Sequence, residues 1–191
     1  MKLTDSIHIV GGGLMGFGLS HPGDWYVYAV TDGEETALID AGVGMEPERI
    51  VANVEADGID PDTVKYLILT HCHGDHAGGG AYLRKQYRLK VIAPVDTRGW
   101  LHEGRTVDED ATNLARAREA GRYPASYRVE PVAVAREVDD GEEIRVGNLR
   151  LHTLSTPGHA ARHMRYILEV DGKKYMFGGD LVFAGGLVVL N

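Results

Sequence analysis

Three imidazoles and a carboxylate fall within six residues of the run Thr70-His71-Cys72-His73-Gly74-Asp75-His76. Imidazole nitrogen and carboxylate oxygen are ligands for Zn2+, Fe and Mn2+, and an ion with an open position makes hydroxide available near neutral pH. The cluster directly follows residues 64–70 (VKYLILT), an apolar run too short for a typical helix and expected to be a buried strand. Where a chain leaves a strand, residues i and i+2 face the same side. His71 and His73 are therefore expected to converge on one ion while Cys72 faces elsewhere as a small buried filler. Asp75 and His76 start the next turn, where they can serve a second ion or orient a bound water. Chance histidines in a solvated loop seldom reach this density.

Such a cluster needs a rigid frame, and the flanking sequence spells one. Short apolar runs at 7–10, 25–30 and 36–40 read as strands, with Asp32-Gly33 a hairpin signal between the last two. A helix follows: Pro47 fits its first turn, Ile50, Val51 and Val54 share one face, and Gly58 sits past its end. Beyond the cluster come a helix at 79–87, a strand at 90–95 and a polar amphipathic helix at 108–121. Residues 132–180 read as a meander of strands with turns at Asp139-Asp140-Gly141, Gly147-Asn148 and Asp171-Gly172. No linker, low-complexity tract or fixed-period repeat interrupts the chain. The pattern predicts one α+β domain over 1–191, with stacked mixed sheets flanked by helices.

Composition narrows the function classes. The chain has 191 residues with a formal charge of −8, which argues against binding a phosphate backbone. No apolar run approaches the roughly 20 residues needed to span a bilayer, so neither a nucleic acid nor a membrane is the expected partner. A single Cys makes no internal disulfide, and no apolar signal core follows Met1–Asp5. A cytoplasmic protein acting on a small-molecule substrate is expected.

Residues 70–79 (THCHGDHAGG) match the H-x-H-x-D-H signature of the metallo-β-lactamase superfamily, and other segments resemble that family in order. Leu38-Ile39-Asp40-Ala41-Gly42 is similar to its early Asp-containing strand end. Thr156-Pro157-Gly158-His159 resembles the motif of its third histidine, and Phe177-Gly178-Gly179-Asp180 the motif of its bridging aspartate. The resemblance implies an αββα four-layer sandwich of two mixed β-sheets. It implies a first metal site of His71, His73 and His159, and a second of Asp75 and His76, with Asp180 reaching both. One or two Zn2+ ions are implied, Fe or Mn being alternatives. Asp75 is implied as the catalytic group beside the nucleophile. The family supplies one more His in a Gly-His context, whereas this chain ends at Asn191, eleven residues past Asp180. The expectation is therefore a C-terminally incomplete domain, its last strand and helices missing and its second ion held more weakly. Apolar surface beside 187–190 would then favour a homo-oligomer.

Asp180 and His76 set the chain apart from the lactamase group that uses Cys in place of the former and lacks the latter. The nearest likeness is to thioester and lactone hydrolases such as glyoxalase II. The resemblance thus implies a metal-bound hydroxide attacking an ester, thioester or lactone. Two alternatives stand beside it: a mononuclear non-haem iron persulfide dioxygenase on the same fold, and an inactive truncated metal-binding module.

Lesser signals complete the reading. Gly11–Gly16 satisfies G-x-G-x-x-G, but residues 17–23 cannot supply the helix a dinucleotide site needs. Leu14, Met15 and Phe17 are instead expected either in an apolar flap over the metals or in a plain turn. Asp40 either orients a metal-bound His or caps a turn, and His163 is read as a supporting or structural residue. His8 and His152 are expected to be structural, and His21 and His102 to line a pocket. Residues 96–131 carry Arg98, Arg116, Arg122, Tyr123 and Tyr127 in an acidic protein. They read either as a solvated helix with i,i+4 charge pairs or as a substrate-recognising insertion whose Arg grips a carboxylate.

Overall fold

Strand β1 (Ile7–Gly11) pairs antiparallel with β2 (Val27–Thr31), which turns at Asp32-Gly33 into β3 (Thr36–Ile39). The structure is a computed structural model that describes residues 1–14, 16–105, 118–121 and 123–181. Helix α1 (Pro47–Ala56) starts with Pro47 in its first turn, where a missing N–H costs nothing. It ends before Gly58, whose φ of 77° suits glycine. Ile50, Val51 and Val54 are buried, as their spacing requires.

Strand β4 (Val64–Ile68) lies parallel to both β3 and β5 (Lys90–Pro94). Its near-continuous apolar run has a plain cause: Val64 and Leu67 face the helix side while Ile68 and Tyr66 face the second sheet. The one-turn helix α2 (Gly74–Ala77) and α3 (Gly80–Tyr87) connect β4 to β5, and α4 (Arg98–His102) follows β5. Strand β6 (Val134–Val138) closes a six-stranded mixed sheet in the order β1-β2-β3-β4-β5-β6. Strands β7 (Glu143–Val146), β8 (Leu149–Ser155), β9 (Met164–Val170) and β10 (Lys173–Phe177) form a four-stranded antiparallel sheet.

The sequence reading of 132–180 as one meander needs correction at its start, because β6 joins the first sheet, parallel to β5. The turn at 139–142 is a corner between sheets, held where Glu142 N–H donates to Thr153 Oγ1 (2.7 Å) and Thr153 Oγ1 donates to Asp139 O (2.6 Å). Local turn chemistry announces a reversal but does not say which sheet receives the strand. The helix expected over 108–121 and the apolar run 187–190 fall wholly or largely outside the described residues.

Two cores result. One packs α1, α3 and α4 on the first sheet through Ile50, Val54, Leu83 and Leu101. The other lies between the sheets, with Tyr166 fully buried in it. The Tyr166 hydroxyl donates to Leu69 O at 2.7 Å, and Met164 N–H donates to Thr70 O at 2.8 Å. These two bonds tie the second sheet to the exit of β4, the rim where the histidine cluster begins. Among the described residues no helix is long and apolar enough to cross a membrane.

Candidate metal centre

Parallel strands β3 and β4 end at one rim, which is where open α/β sheets place their ligands. Asp40 leaves β3 there with φ 63°, and residues 69–73 leave β4. His71 is fully buried and His73 nearly so, while Cys72 turns into the core of the first sheet, as the i, i+2 alternation requires. The loop after β8 delivers His159, and the turn after β10 delivers Asp180.

The donor atoms of His71, His73, His159 and Asp180 lie within 4.8 Å of one another, and those of Asp75, His76 and Asp180 form a second such group. His73 Nδ1 stands 2.9 Å from His71 Nε2 and 2.8 Å from His159 Nε2. Asp180 reaches both groups, with Oδ2 3.2 Å from His159 Nε2 and Oδ1 3.0 Å from His76 Nε2. His76 Nε2 and Asp180 Oδ1 are nevertheless buried without a hydrogen bond of acceptable geometry. Three imidazole nitrogens crowded on one point repel through their lone pairs unless a proton or a cation lies among them. This donor set fits a divalent ion.

The surrounding bonds fix which nitrogen each ring presents. The Thr70 hydroxyl donates to Asp40 (2.8 Å to Oδ2), so it accepts from His71 Nδ1–H at 3.0 Å and leaves His71 Nε2 bare towards the cluster. His76 Nδ1–H donates to Asp40 Oδ2 at 2.8 Å, leaving its Nε2 towards Asp180. His163 Nε2 accepts from Asp180 N–H at 3.3 Å, while its Nδ1–H donates to Thr156 Oγ1 at 2.9 Å. His163 thus holds the backbone that carries Asp180. Thr70, Thr156 and Trp25 escaped the sequence reading. Trp25 lies ring to ring with His76, centroids 6.0 Å apart, and its backbone N–H donates to Asp75 O at 3.3 Å.

Protonation follows from burial and neighbours. Burial first, then the adjacent imidazoles, hold His71 well below the usual histidine range and bring His73 to about 3. Burial likewise takes His163 to about 4. His76 goes the other way: burial opposes its charge, but Asp40, Asp75 and Asp180 together outweigh it. Burial raises Asp75 above the ordinary carboxylate range. Asp180 is held well below that range despite its burial, by the imidazoles of His159 and His76 beside its carboxylate.

Cys72 is fully buried, and burial pushes its thiol up to about 12. Iodoacetamide at pH 8 is therefore expected to leave the native chain unmodified and to add one label after unfolding. Labelling of the folded protein at the rate of a free thiol would contradict this placement.

Several other residues singled out in the sequence have partners of their own. Arg98 donates from Nε to Glu137 Oε2 (3.2 Å) and from Nη1 to Val134 O (3.2 Å), so β6 occupies its guanidinium. Tyr123 stacks on Tyr127, centroids 4.7 Å apart. His102 Nε2 accepts from Val134 N–H (3.1 Å), His21 Nδ1 accepts from Gly23 N–H (3.0 Å), and His8 pairs with Asp57. His152 lies on an exposed position of β8. No helix follows Gly16 before β2. Met15, Arg116 and Arg122 lie outside the described residues. Phe17 is 63% exposed and meets Tyr26 edge-on at 6.3 Å. Tyr26 in turn meets Trp25 at 6.1 Å, so an aromatic chain runs from the glycine loop to His76.

Residues 21–191 match the Metallo-beta-lactamase superfamily. A hydroxyacylglutathione hydrolase of Rhodopseudomonas palustris (strain BisA53) is 31% identical over 151 residues, covering 79% of this chain and 44% of that protein. One from Bradyrhizobium sp. (strain ORS 278) is 29% identical over the same length, with the same coverage. The chain thus spans less than half the length of these relatives. Among solved structures, a HARLDQ-motif mutant metallo-beta-lactamase from Cronobacter sakazakii superposes with a TM-score of 0.75 at 24% identity, covering 99% of this chain and 67% of that one. A metallo-beta-lactamase from Legionella gormanii gives 0.70 at 21% identity, covering 96% and 64%. With its fold, its histidine cluster and these likenesses in agreement, the chain belongs to the metallo-beta-lactamase superfamily.

Proposed function

We propose that the protein is a metal-dependent hydrolase of a small-molecule ester, thioester or lactone. The observation that carries this reading is the convergence of His71, His73, His159 and Asp180 on one point beside Asp75. His71, His73 and His159 would hold a first ion, and Asp75 and His76 a second, with Asp180 reaching both. Zn2+ suits this nitrogen-rich set best, with Fe and Mn as alternatives. When bound, the metal supplies a Lewis acid for the substrate carbonyl and lowers the pKa of a bound water. The chain's residues do the rest. Asp40 and Thr70 fix the ring nitrogens offered by His76 and His71, and Asp75 orients the attacking water and takes its proton. Trp25, Tyr26 and Phe17 form an apolar wall for the acyl group. The name of the relatives, hydroxyacylglutathione hydrolase, favours a thioester.

Asp75→Asn should reduce turnover by about 10²–10⁴-fold, the range for loss of a positioned acid–base group, while first-site occupancy stays near that of the parent. Unchanged turnover would remove Asp75 from the chemistry. The class of reaction is tested by metal analysis of the purified chain beside anaerobic thioester hydrolysis. Zinc with oxygen-independent hydrolysis is expected. Iron with oxygen uptake would indicate the persulfide dioxygenase alternative, and no retained metal would indicate an inactive module.

A further inference from the structure

Asp75 and His76 stand on α2, a helix of one turn with no side-chain cap at its N-terminus. A single turn does not hold itself together, because helix nucleation is unfavourable without outside contacts. The contacts come from the backbone of residues 41–44, which runs along α2. Ala41 N–H donates to His76 O at 2.6 Å, and Gly79 N–H donates to Gly42 O at 3.0 Å. Glycine permits this approach, since a Cβ on Gly78 would stand 2.2 Å from Val43 O.

Tyr127 closes the arrangement from outside. It is buried, and its hydroxyl donates to Val43 O at 2.8 Å and lies 3.5 Å from Gly74 O, the first residue of α2. Val43, Tyr127 and Val129 form a small apolar cluster, joined by Met45 and Tyr123. The Tyr127 backbone is itself pinned, its N–H donating to Pro124 O (2.9 Å) and its carbonyl accepting from Arg118 and Arg128.

We propose that Tyr127 is a positioning residue that clamps residues 41–44 against α2 and so sets Asp75 and His76 relative to Asp180. The consequence for metal rests on the function proposed above, whereas the clamp itself is a property of the ion-free chain. Tyr127→Phe removes the hydroxyl and keeps the ring stack. In the ion-free chain, the amides of His76, Ala77 and Gly78 should exchange with solvent severalfold faster, with those of α1 unchanged. In a Co2+ titration the variant should bind about 10- to 100-fold more weakly, the usual effect of losing an outer partner of a ligand, with an altered visible spectrum. Unchanged exchange in α2 would overturn the clamp. Faster exchange throughout, α1 included, would make Tyr127 an ordinary core residue and overturn the proposal as well. Faster exchange confined to α2 with identical cobalt affinity and spectrum would overturn the positioning of the ligands. A parent chain that takes up no cobalt would defeat the metal reading, and with it the ligand-positioning role, while the exchange comparison would still decide the clamp.

Discussion

His71→Ala is expected to leave a folded protein that no longer holds a divalent ion. His71 contributes Nε2 to the crowded point where His73 Nδ1 and His159 Nε2 also stand, and its ring is fully buried. Alanine removes a direct ligand, so affinity should fall by more than about 100-fold, the upper end of what losing an outer partner costs. His73→Ala and His159→Ala should behave alike, because all three nitrogens share one ion. Equilibrium dialysis against zinc provides the measurement. Full occupancy in all three variants would show that the ion sits elsewhere.

The second large effect is expected at Asp40, which no substrate would touch. Its carboxylate accepts from Thr70 N–H (2.7 Å), Thr70 Oγ1 and His76 Nδ1–H, all of them buried. Asp40→Ala strands those donors, at about 1–3 kcal/mol for each one left unsatisfied. The φ of 63° adds strain that aspartate tolerates better than alanine. A loss of about 3–5 kcal/mol in chemical denaturation is expected, together with weaker metal binding as His71 and His76 lose their orientation. Asp40→Asn, which keeps an acceptor and the left-handed preference, should recover part of the stability. A change below about 0.5 kcal/mol, the usual limit for an uninvolved surface position, would contradict the role given to Asp40.

How much of this was legible in the sequence depends on whether the signal was local. The exit of β4 was legible because strand alternation alone sends His71 and His73 one way and Cys72 the other. Helix α1 was legible through Pro47, Gly58 and its apolar face. Asp40, His159 and Asp180 came within reach through motifs in a familiar order, although over a hundred residues separate the first from the last. Strand β6 was misplaced because its pairing with β5 is decided by contacts across some forty residues, about which a local turn says nothing. Thr70 looked like an ordinary strand-end threonine, and only the fold shows its hydroxyl linking Asp40 to His71. Arg98 illustrates a signal that stayed ambiguous. It was one of several arginines open to two readings, a solvated surface or a grip on substrate, and in the fold Glu137 from a distant strand pairs with it. Tyr127 stood in a segment noted for its arginines, and its bond to Val43 depends on a contact eighty-four residues away in the chain.

The central claim is that His71, His73 and His159 bind one ion. The most direct test is a crystal structure of the zinc-loaded chain with anomalous scattering recorded on both sides of the zinc edge. An anomalous peak is expected at bonding distance, about 2.0–2.1 Å, from the three imidazole nitrogens His71 Nε2, His73 Nδ1 and His159 Nε2. A zinc-loaded protein whose peak lies away from these three nitrogens, or on Asp75 and His76 alone, would contradict the claim.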